Sequence, residues 1–345
     1  ISVNGGGKVT VNGGTFSTEC ITAEEANNQG TSHGPWVAGV LNSGGTLIIN
    51  GGTFSNDNFG ENALATAARG AILADTKAKV EINGGTFNVL KNVIDIQNNL
   101  GDANNNPSVV LSGGTYNADP RISAQYASNL ITLADGYVAV ENNGVWTVVK
   151  AAAKIGEQKF KTITAAIEAA VLMTGDVTIE ILAGTYAEDI NLTNAAVTVG
   201  DANARPNITF KPAAGANVTL AGTTTLGYYQ RGVGASRWKG NVTFEGINFD
   251  HAANATNSLD IQDVSGIYLV NCTLTGDGEY GITSSAGTST SNAAFTGCTF
   301  NTGAMQVLGQ LGAHLVVDGC TCNEFSFNIQ GGMAPGMTIK NTPFN

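Results

Sequence analysis

Short stretches in which hydrophobic and polar residues alternate recur along the first third of the chain, each followed by the same turn. The four copies begin at Val9, Leu47, Val80 and Val109 and end at Phe16, Phe54, Phe87 and Tyr116. In each copy an apolar-x-apolar stretch leads into a Gly-Gly pair and then into Thr followed by an aromatic residue. Alternation with a period of two places successive side chains on opposite faces of a β-strand. The pattern therefore predicts a half-buried strand, a tight corner and a second strand in every copy.

The copy at 80–87 shows how the side chains divide between two faces. Val80 and Ile82 are expected to point into a dry interior, and Glu81 between them to point to solvent. The Gly-Gly pair that follows is expected to make the corner, because glycine tolerates positive backbone φ angles. Phe87 is then the next inward side chain.

The spacing of the copies bears on the type of repeat. They start at residues 9, 47, 80 and 109, so the intervals are 38, 33 and 29 residues. Apolar stretches at 37–41, 70–73 and 93–96 lie in the gaps and predict a further set of strands. A propeller or a leucine-rich repeat keeps its period more strictly than a β-helix with loops of varying length. We therefore expect an all-β fold, a parallel β-helix with a uniform core.

Two elements separate this repeat from the rest of the chain. Residues 136–149 form two alternating stretches around Asn-Asn-Gly, which predicts a β-hairpin that ends the first winding. A short amphipathic helix is predicted by apolar residues at helical spacing, Phe160, Ile163, Ile167 and Val171. Such a helix can cover the open end of a second set of strands. We therefore expect two tandem domains, 1–150 and 151–345, the second with an N-terminal capping helix.

A second repeat occupies the C-terminal part of the chain. Five segments align without gaps and carry, at one equivalent position, Ile247, Cys272, Cys298, Cys320 and Thr342. The intervals are 25, 26, 22 and 22 residues, so residues at this position should stack about 4.8 Å apart. The three cysteines are expected to form a buried row of thiols, because neither Cys-x-x-Cys nor a His at ligand spacing accompanies them. Disulfides remain the alternative, and Cys20 lies alone in the first winding.

These stretches resemble two groups of known proteins. Residues 160–170 together with 176–186 are similar to the N-terminal entry of the pectin-lyase-like right-handed parallel β-helix superfamily. The Asn-Gly-Gly-Thr-Phe tandem of residues 1–135 resembles the repeats of large bacterial surface proteins and autotransporter-like adhesins. Together the resemblances cover nearly the whole chain and imply two right-handed parallel β-helices in tandem. They imply no single activity, because the superfamily includes lyases, hydrolases, esterases, phage tailspikes and non-catalytic adhesins.

Composition narrows the class of protein further. Gly contributes 45 of 345 residues and charged residues only 12%, as expected for short strands, frequent turns and a continuous interior. The net charge of −11 argues against nucleic acid and anionic membrane surfaces as partners, because both require clustered cations. No apolar run approaches the roughly 20 residues of a membrane span, and no signal peptide opens the chain. We therefore expect a segment of a longer polypeptide whose targeting signals lie elsewhere.

The candidate ligand-binding residues lie in and after an insertion at 227–240, the part of the chain richest in aromatic and cationic residues. They are Tyr228, Tyr229, Arg231, Arg237, Trp238, Asp250, Asp260 and Asp263. The resemblance implies that lyases of this fold hold Ca²⁺ with carboxylates beside a Lys or Arg base, and that its hydrolases use two or three Asp residues. The alternative is that the carboxylates are solvated loop residues and that Trp238 covers an apolar edge.

Neither alternative assigns a catalytic residue. Gln262 and Asp263 are similar to a dipeptide of the superfamily's esterases, but the partners of that dipeptide are missing. No metal site is assigned, and no cofactor is expected unless the acidic residues bind Ca²⁺.

Two functions of different classes remain. The leading hypothesis is a non-catalytic stalk or adhesin, extracellular or at the cell surface, that presents loops to a glycan or to a surface protein of a host or neighbouring cell. The alternative is a polysaccharide lyase or glycoside hydrolase, including a phage tailspike-like depolymerase, with its site near 250–263. Rows of outward Thr would suit an ice-binding surface, but the Thr residues are not paired as Thr-x-Thr on consecutive repeats.

Overall fold

A computed structural model of the chain shows a protein that is mostly β-strand, with parallel sheets and one α-helix in its described part, which confirms the all-β class. The contacts divide the chain into two units, Ile1–Lys150 and Ala151–Asn345. The structure describes residues 1–17, 37–40, 44–56, 70–89, 92–97, 102–123, 128–230, 234–250, 259–275, 281–284, 292–308, 314–330 and 336–345.

The strands of the first unit are short, and two 3₁₀ turns, Ala103–Asn105 and Ser128–Leu130, lie among them. The described strands are β1 (Ser2–Val3), β2 (Lys8–Val11), β3 (Thr15–Ser17), β4 (Ala38–Val40), β5 (Gly45–Ile49), β6 (Thr53–Asn56), β7 (Ile72–Ala74), β8 (Ala78–Ile82), β9 (Thr86–Val89), β10 (Ile94–Ile96), β11 (Ser108–Leu111), β12 (Thr115–Tyr116), β13 (Ile131–Leu133), β14 (Tyr137–Asn142) and β15 (Val145–Lys150).

These strands form three sheets, each of which takes strands from successive copies of the repeat. The first sheet has the order β1-β4-β7-β10, the second β13-β11-β8-β5-β2, and the third β14-β15-β12-β9-β6-β3. The pairs between successive copies are parallel. β15 instead pairs antiparallel with both β12 and β14, so a hairpin forms one end of the third sheet.

Alternation along the strands divides core from solvent as the sequence predicts. On β8, Ala78, Val80 and Ile82 are buried, whereas Lys79 and Glu81 are exposed. The buried side belongs to one continuous hydrophobic cluster of the first unit. Burial of such β-branched and aliphatic side chains is the main favourable contribution to folding.

An aromatic row runs through this interior. Phe16, Phe54, Phe87 and Tyr116 follow one another on β3, β6, β9 and β12, with neighbouring ring centroids 5.1, 5.1 and 4.9 Å apart and interplanar angles of 22°, 9° and 12°. Parallel strands in register repeat about every 4.8 Å, so equivalent rings stack. The hydroxyl of Tyr116 donates to the carbonyl oxygen of Gly113 at 2.5 Å, and burial raises the pKa of Tyr116 well above its usual range.

A second row, of amides, runs along the exposed corner between the second and third sheets. Asn83 Nδ2 donates to Asn50 Oδ1 (2.9 Å), Asn50 Nδ2 donates to Asn12 Oδ1 (2.8 Å), and Ser112 Oγ donates to Asn83 Oδ1 (2.6 Å). An amide is both donor and acceptor, so one residue type can continue the row from copy to copy.

The two glycines of each corner serve different purposes. The second has a φ between 105° and 109°, as expected: Gly14, Gly52, Gly85 and Gly114. The first has no positive φ. A Cβ there would lie 2.9, 2.5 and 2.1 Å from the carbonyl oxygen of the Asn in the preceding copy, at Gly51, Gly84 and Gly113 respectively. The expectation that both glycines supply a positive φ is therefore wrong for the first, which is needed because successive copies approach closely.

The second unit begins with two antiparallel strands and a helix and continues with parallel strands. The described elements are β16 (Ala153–Ile155), β17 (Gln158–Phe160), α1 (Ile163–Ala170), β18 (Asp176–Ile181), β19 (Gly184–Tyr186), β20 (Ile190–Leu192), β21 (Asn207–Pro212), β22 (Val218–Leu220), β23 (Thr224–Leu226), β24 (Tyr228–Gln230), β25 (Gly234–Ser236), β26 (Trp238–Glu245), β27 (Asn248–Asp250), β28 (Leu259–Ile261), β29 (Val264–Val270), β30 (Thr273–Thr275), β31 (Ile282–Ser284), β32 (Asn292–Thr296), β33 (Thr299–Leu308), β34 (His314–Asp318), β35 (Thr321–Gln330) and β36 (Gly336–Lys340).

Two large sheets and one small hairpin contain these strands. One sheet has the order β17-β16-β18-β21-β26-β29-β32-β34-β36, and the other β19-β22-β27-β30-β33-β31-β28-β23-β20, with β35 on β33. The long strand β33 pairs through its first half with β30 and through its second half with β31. The second sheet therefore consists of two parallel ladders that merge in β33 and β35.

The helix α1 is held at its N-terminus by side chains. Ala165 N donates to Thr162 Oγ1 at 3.1 Å, and the first two helical amides donate to the carboxylate of Glu188 at 3.0 and 2.8 Å, which satisfies donors that lack partners within the helix. Phe160 belongs to β17 and Val171 caps the C-terminus, so the helix is shorter than its apolar spacing indicates. No helix in the described part of the chain is long and apolar enough to cross a membrane.

The corner geometry yields a prediction with a matched control. Gly84→Ala should lower the free energy of unfolding by about 1–3 kcal/mol, a usual cost of overpacking, because its Cβ would press on Asn50 O. Gly13→Ala at the equivalent position meets nothing within 4 Å and should change stability by less than about 0.5 kcal/mol. Urea unfolding of both variants measures the difference, and equal midpoints would contradict the close-approach explanation.

Candidate functional site

A hairpin forms the first part of the predicted site region. β24 and β25 pair antiparallel, and Tyr228 is half-buried. Gly227, just before the hairpin, has a φ of 72°, and a Cβ there would lie 1.8 Å from the carbonyl oxygen of Asp263. Only glycine therefore fits where the hairpin leaves the sheet. The side chain of Tyr229 and the whole of Arg231 lie outside the described residues.

Trp238 follows the hairpin and lies in the interior of the second unit. Its side chain is fully buried in the hydrophobic core rather than covering an apolar edge. Its backbone N–H donates to the carbonyl oxygen of Asp263 at 2.9 Å. The guanidinium of Arg205 lies 4.9 Å from the centroid of the indole ring, within the range of a cation–π interaction. Trp238 therefore anchors the hairpin to the core.

Arg205 is a buried cation held by neutral oxygen atoms. Its guanidinium donates to Asn194 Oδ1 (3.2 Å), Val199 O (2.5 Å) and Val197 O (2.7 Å). Loss of water around the guanidinium lowers the pKa of Arg205 below its ordinary value. The three acceptors and the indole ring of Trp238 replace that water, so Arg205 fastens the chain between β20 and β21 to the core.

Arg237 and Asp263 form an ion pair beside this group. Arg237 Nε donates to Asp263 Oδ1 at 2.9 Å, and 7% of the Asp263 side chain is exposed against 31% of the Arg237 side chain. Asn194 Nδ2 donates both to Ser236 Oγ (3.0 Å) and to Arg237 O (3.2 Å). Asn194 therefore connects the environment of Arg205 to the base of the hairpin.

The other two carboxylates lie on the outer side of the ladders. Asp260 Oδ1 accepts from Thr283 Oγ1 at 3.0 Å, and its Oδ2 accepts from Gln262 Nε2 at 2.7 Å. Asp250 is half-buried at the end of β27, in register with Thr275 on β30. Asp250 and Asp260 each belong to a polar row along the strands.

These polar rows extend along the units. In the first unit one outer row consists of Thr15, Thr53, Thr86 and Thr115. In the second unit the corresponding row consists of Thr185, Thr219, Asn248, Thr273, Thr299 and Thr321. Beside it, Asn323 Nδ2 donates to Asn301 Oδ1 and Asn345 Nδ2 donates to Asn323 Oδ1, both at 2.9 Å.

Of the eight candidate residues, the structure brings together Arg237, Trp238 and Asp263. The described contacts place Asp260 with Thr283 and Gln262 instead. A general base must reach a substrate proton, whereas the Asp263 carboxylate is buried and already engaged by a guanidinium. Among the residues that the structure describes, no three His, Cys, Asp or Glu side chains are grouped so that they could hold a metal ion.

Sequence reasoning missed Arg205 and Asn194, which complete this group. Neither belongs to a repeat, and Asn194 precedes its two hairpin partners by 42 and 43 residues. A fully or largely buried Arg is rare. No local pattern could therefore have singled out either residue.

Comparisons of the chain with protein-family models, with curated proteins and with solved structures return no match.

The ion pair can be tested by removing one positive charge at each of two nearby positions. Arg237→Met should lower the free energy of unfolding by roughly 1–3 kcal/mol, because it leaves a buried carboxylate without its cation. Lys239→Met removes an exposed ammonium that contacts Asn203 Oδ1 at 3.1 Å and should cost less than about 0.5 kcal/mol. Thermal and urea unfolding compare the two, and an equal loss in both variants would show that the pair has no structural role.

Proposed function

We propose that the chain is a non-catalytic segment of a large bacterial extracellular or cell-surface protein, a stalk or adhesin that presents loops to a glycan or to a protein on a neighbouring surface. In this proposal each unit is a right-handed parallel β-helix, a solenoid, and α1 caps the second one. The in-register parallel pairing of strands from successive repeats supports the architecture. A chain that visits the same three sheets in every repeat winds as a stack of such turns.

The single observation that carries the functional proposal is where the repeats differ in length. In the first unit the second and third sheets are joined by three residues in every copy, 12–14, 50–52, 83–85 and 112–114. The connections from the third sheet back to the first instead span 18–37, 57–71 and 90–93. A uniform core with length variation at one connection is typical of repeat scaffolds that display binding loops.

The polar rows support a glycan as one class of ligand. They place hydroxyl and amide groups at the strand spacing, about 4.8 Å, on the outer side of the sheets. Such groups both donate and accept hydrogen bonds, as sugar hydroxyls do. The negative net charge supports a partner other than nucleic acid, and the proposal includes no membrane insertion of this segment.

One observation favours the alternative of a polysaccharide lyase or glycoside hydrolase near 250–263. A cation, Arg237, lies beside the carboxylate of Asp263 next to an insertion, and a lyase needs a basic residue close to its acidic site. Against it, the same carboxylate is buried, and an acidic surface repels polyuronates unless Ca²⁺ bridges them. The stalk or adhesin therefore remains the proposal.

The two functions predict different results with polysaccharides. The chain is incubated with polygalacturonate, alginate and glycosaminoglycans, with and without Ca²⁺, and binding to a glycan array is measured with the same preparation. We expect binding without release of unsaturated products or new reducing ends. Asp250→Asn and Asp260→Asn test the enzyme, because these side chains are half-buried on the outer side, and the exposed Asp102→Asn is the control.

Turnover by the native chain that both acidic variants lose and Asp102→Asn keeps would overturn the proposal in favour of the enzyme. Asp263→Asn is less informative here, since loss of the ion pair with Arg237 is expected to destabilise the region and would lower activity for a structural reason.

A further inference from the structure

Four buried cysteines with free thiols lie in the core of the second unit. Cys272, Cys298 and Cys320 occupy the equivalent position in three successive repeats, with exposed fractions of 1%, 1% and 0%. Cys322 is also fully buried, on β35 two residues after Cys320. The expected thiol row is therefore confirmed, and the thiols are not needed by the proposed function.

Each thiol of the row is fixed by a hydrogen bond to the preceding repeat. The sulfur atoms donate to backbone carbonyl oxygens at 3.2, 3.4 and 3.4 Å, in the pairs Cys272 to Phe244, Cys298 to Leu269 and Cys320 to Phe295. The same pattern in three repeats means that the three side chains point the same way. Neighbouring thiols therefore lie side by side along the row.

Cys298 and Cys320 are opposite one another on adjacent repeats. The parallel pairs of β32 with β34 and of β33 with β35 bracket them on both sides without a shift in register. Their Cα atoms are thus about one strand spacing apart, ~4.8 Å, inside the range of roughly 4.4–6.8 Å that a disulfide requires. The backbone N–H of Cys298 donates to Cys320 Sγ at 3.4 Å, which places that sulfur against the backbone of its neighbour.

We infer that Cys298 and Cys320 are the site of a disulfide that links two adjacent repeats of the second unit under oxidising conditions. The oxidant is a small disulfide such as oxidised glutathione. The Cys320 thiolate attacks one sulfur of that disulfide and releases one small thiol, and the Cys298 thiolate then attacks the Cys320 sulfur and releases the second. The protein loses two electrons and two protons, and the small disulfide is reduced to two thiols.

Position selects this pair among the four cysteines. Cys320 and Cys322 are two residues apart on one side of the chain and cannot readily bridge each other. In the sheet that ends with β36, Cys320 follows β34, which is next to this edge strand, whereas Cys272 follows β29 and lies two repeats further from that edge. Strands near the end of a sheet open more readily than those inside it, so an oxidant reaches Cys320 first. The bond would fasten the last repeats to the core.

The test is incubation of the folded whole chain in buffers of reduced and oxidised glutathione, followed by alkylation, digestion and mass spectrometry. In the folded chain the oxidant enters where the strands near the edge open, so the order of access selects the pair. We expect a cross-linked peptide that joins Cys298 to Cys320 and has lost two hydrogen atoms. The urea midpoint of the oxidised chain should be higher than that of the reduced chain.

Two serine variants serve as matched controls. Cys322→Ser should keep the cross-link and the rise in midpoint, and Cys320→Ser should lose both. A cross-link between Cys272 and Cys298 instead, or a chain that stays fully reduced in the oxidised buffer, would overturn the inference. The cross-linked peptide and the urea midpoint are also compared between the oxidised and the reduced unsubstituted chain. This comparison tests the disulfide even if Cys320→Ser fails to fold.

Discussion

The close approach of successive repeats at the Asn-Gly-Gly corner is the constraint on which the first unit depends. A Cβ on Gly84 would lie only 2.5 Å from the carbonyl oxygen of Asn50. Successive repeats can therefore pack this closely only with glycine at this position. The same approach brings Asn50 and Asn83 within hydrogen-bonding distance, 2.9 Å. It also sets the interval of about 5 Å at which the rings of Phe54 and Phe87 stack. The close backbone packing, the row of amide hydrogen bonds and the stacked aromatic rings therefore all follow from the same spacing between successive repeats.

The alternation of hydrophobic and polar residues was sufficient to predict the strands and their inward faces, because a period of two is a property of each strand alone. The repeat also placed the thiols of Cys272, Cys298 and Cys320 in one buried row. The reason for the first glycine of each corner could not be predicted in the same way, because it is a contact with another repeat. Nor could the length of α1, since the apolar side chain of Phe160 fits a strand end as well as a helix.

The candidate site was only partly predictable for a similar reason. Composition identified the insertion around Arg237 and Trp238, but it could not distinguish an exposed aromatic ring from a core one. Trp238 is buried as the first residue of β26. Its ring contacts the guanidinium of Arg205, which lies 33 residues earlier in the sequence. The structure thus presents this group as the anchor of a hairpin. In the proposed function, a stalk or adhesin meets its partner through the outer polar rows and the connections of varying length.

The central claim is that successive repeats stack in register at one strand spacing, and pulsed electron paramagnetic resonance tests it most directly. Three proteins are prepared, each with two ketone-bearing residues that carry spin labels. One label is at position 185 in all three proteins, and the other replaces Thr273, Thr299 or Thr321 on the same outer row. The account predicts mean distances of about 14, 19 and 24 Å, an increase of one strand spacing for each further repeat. Distances that do not rise in equal steps would contradict it.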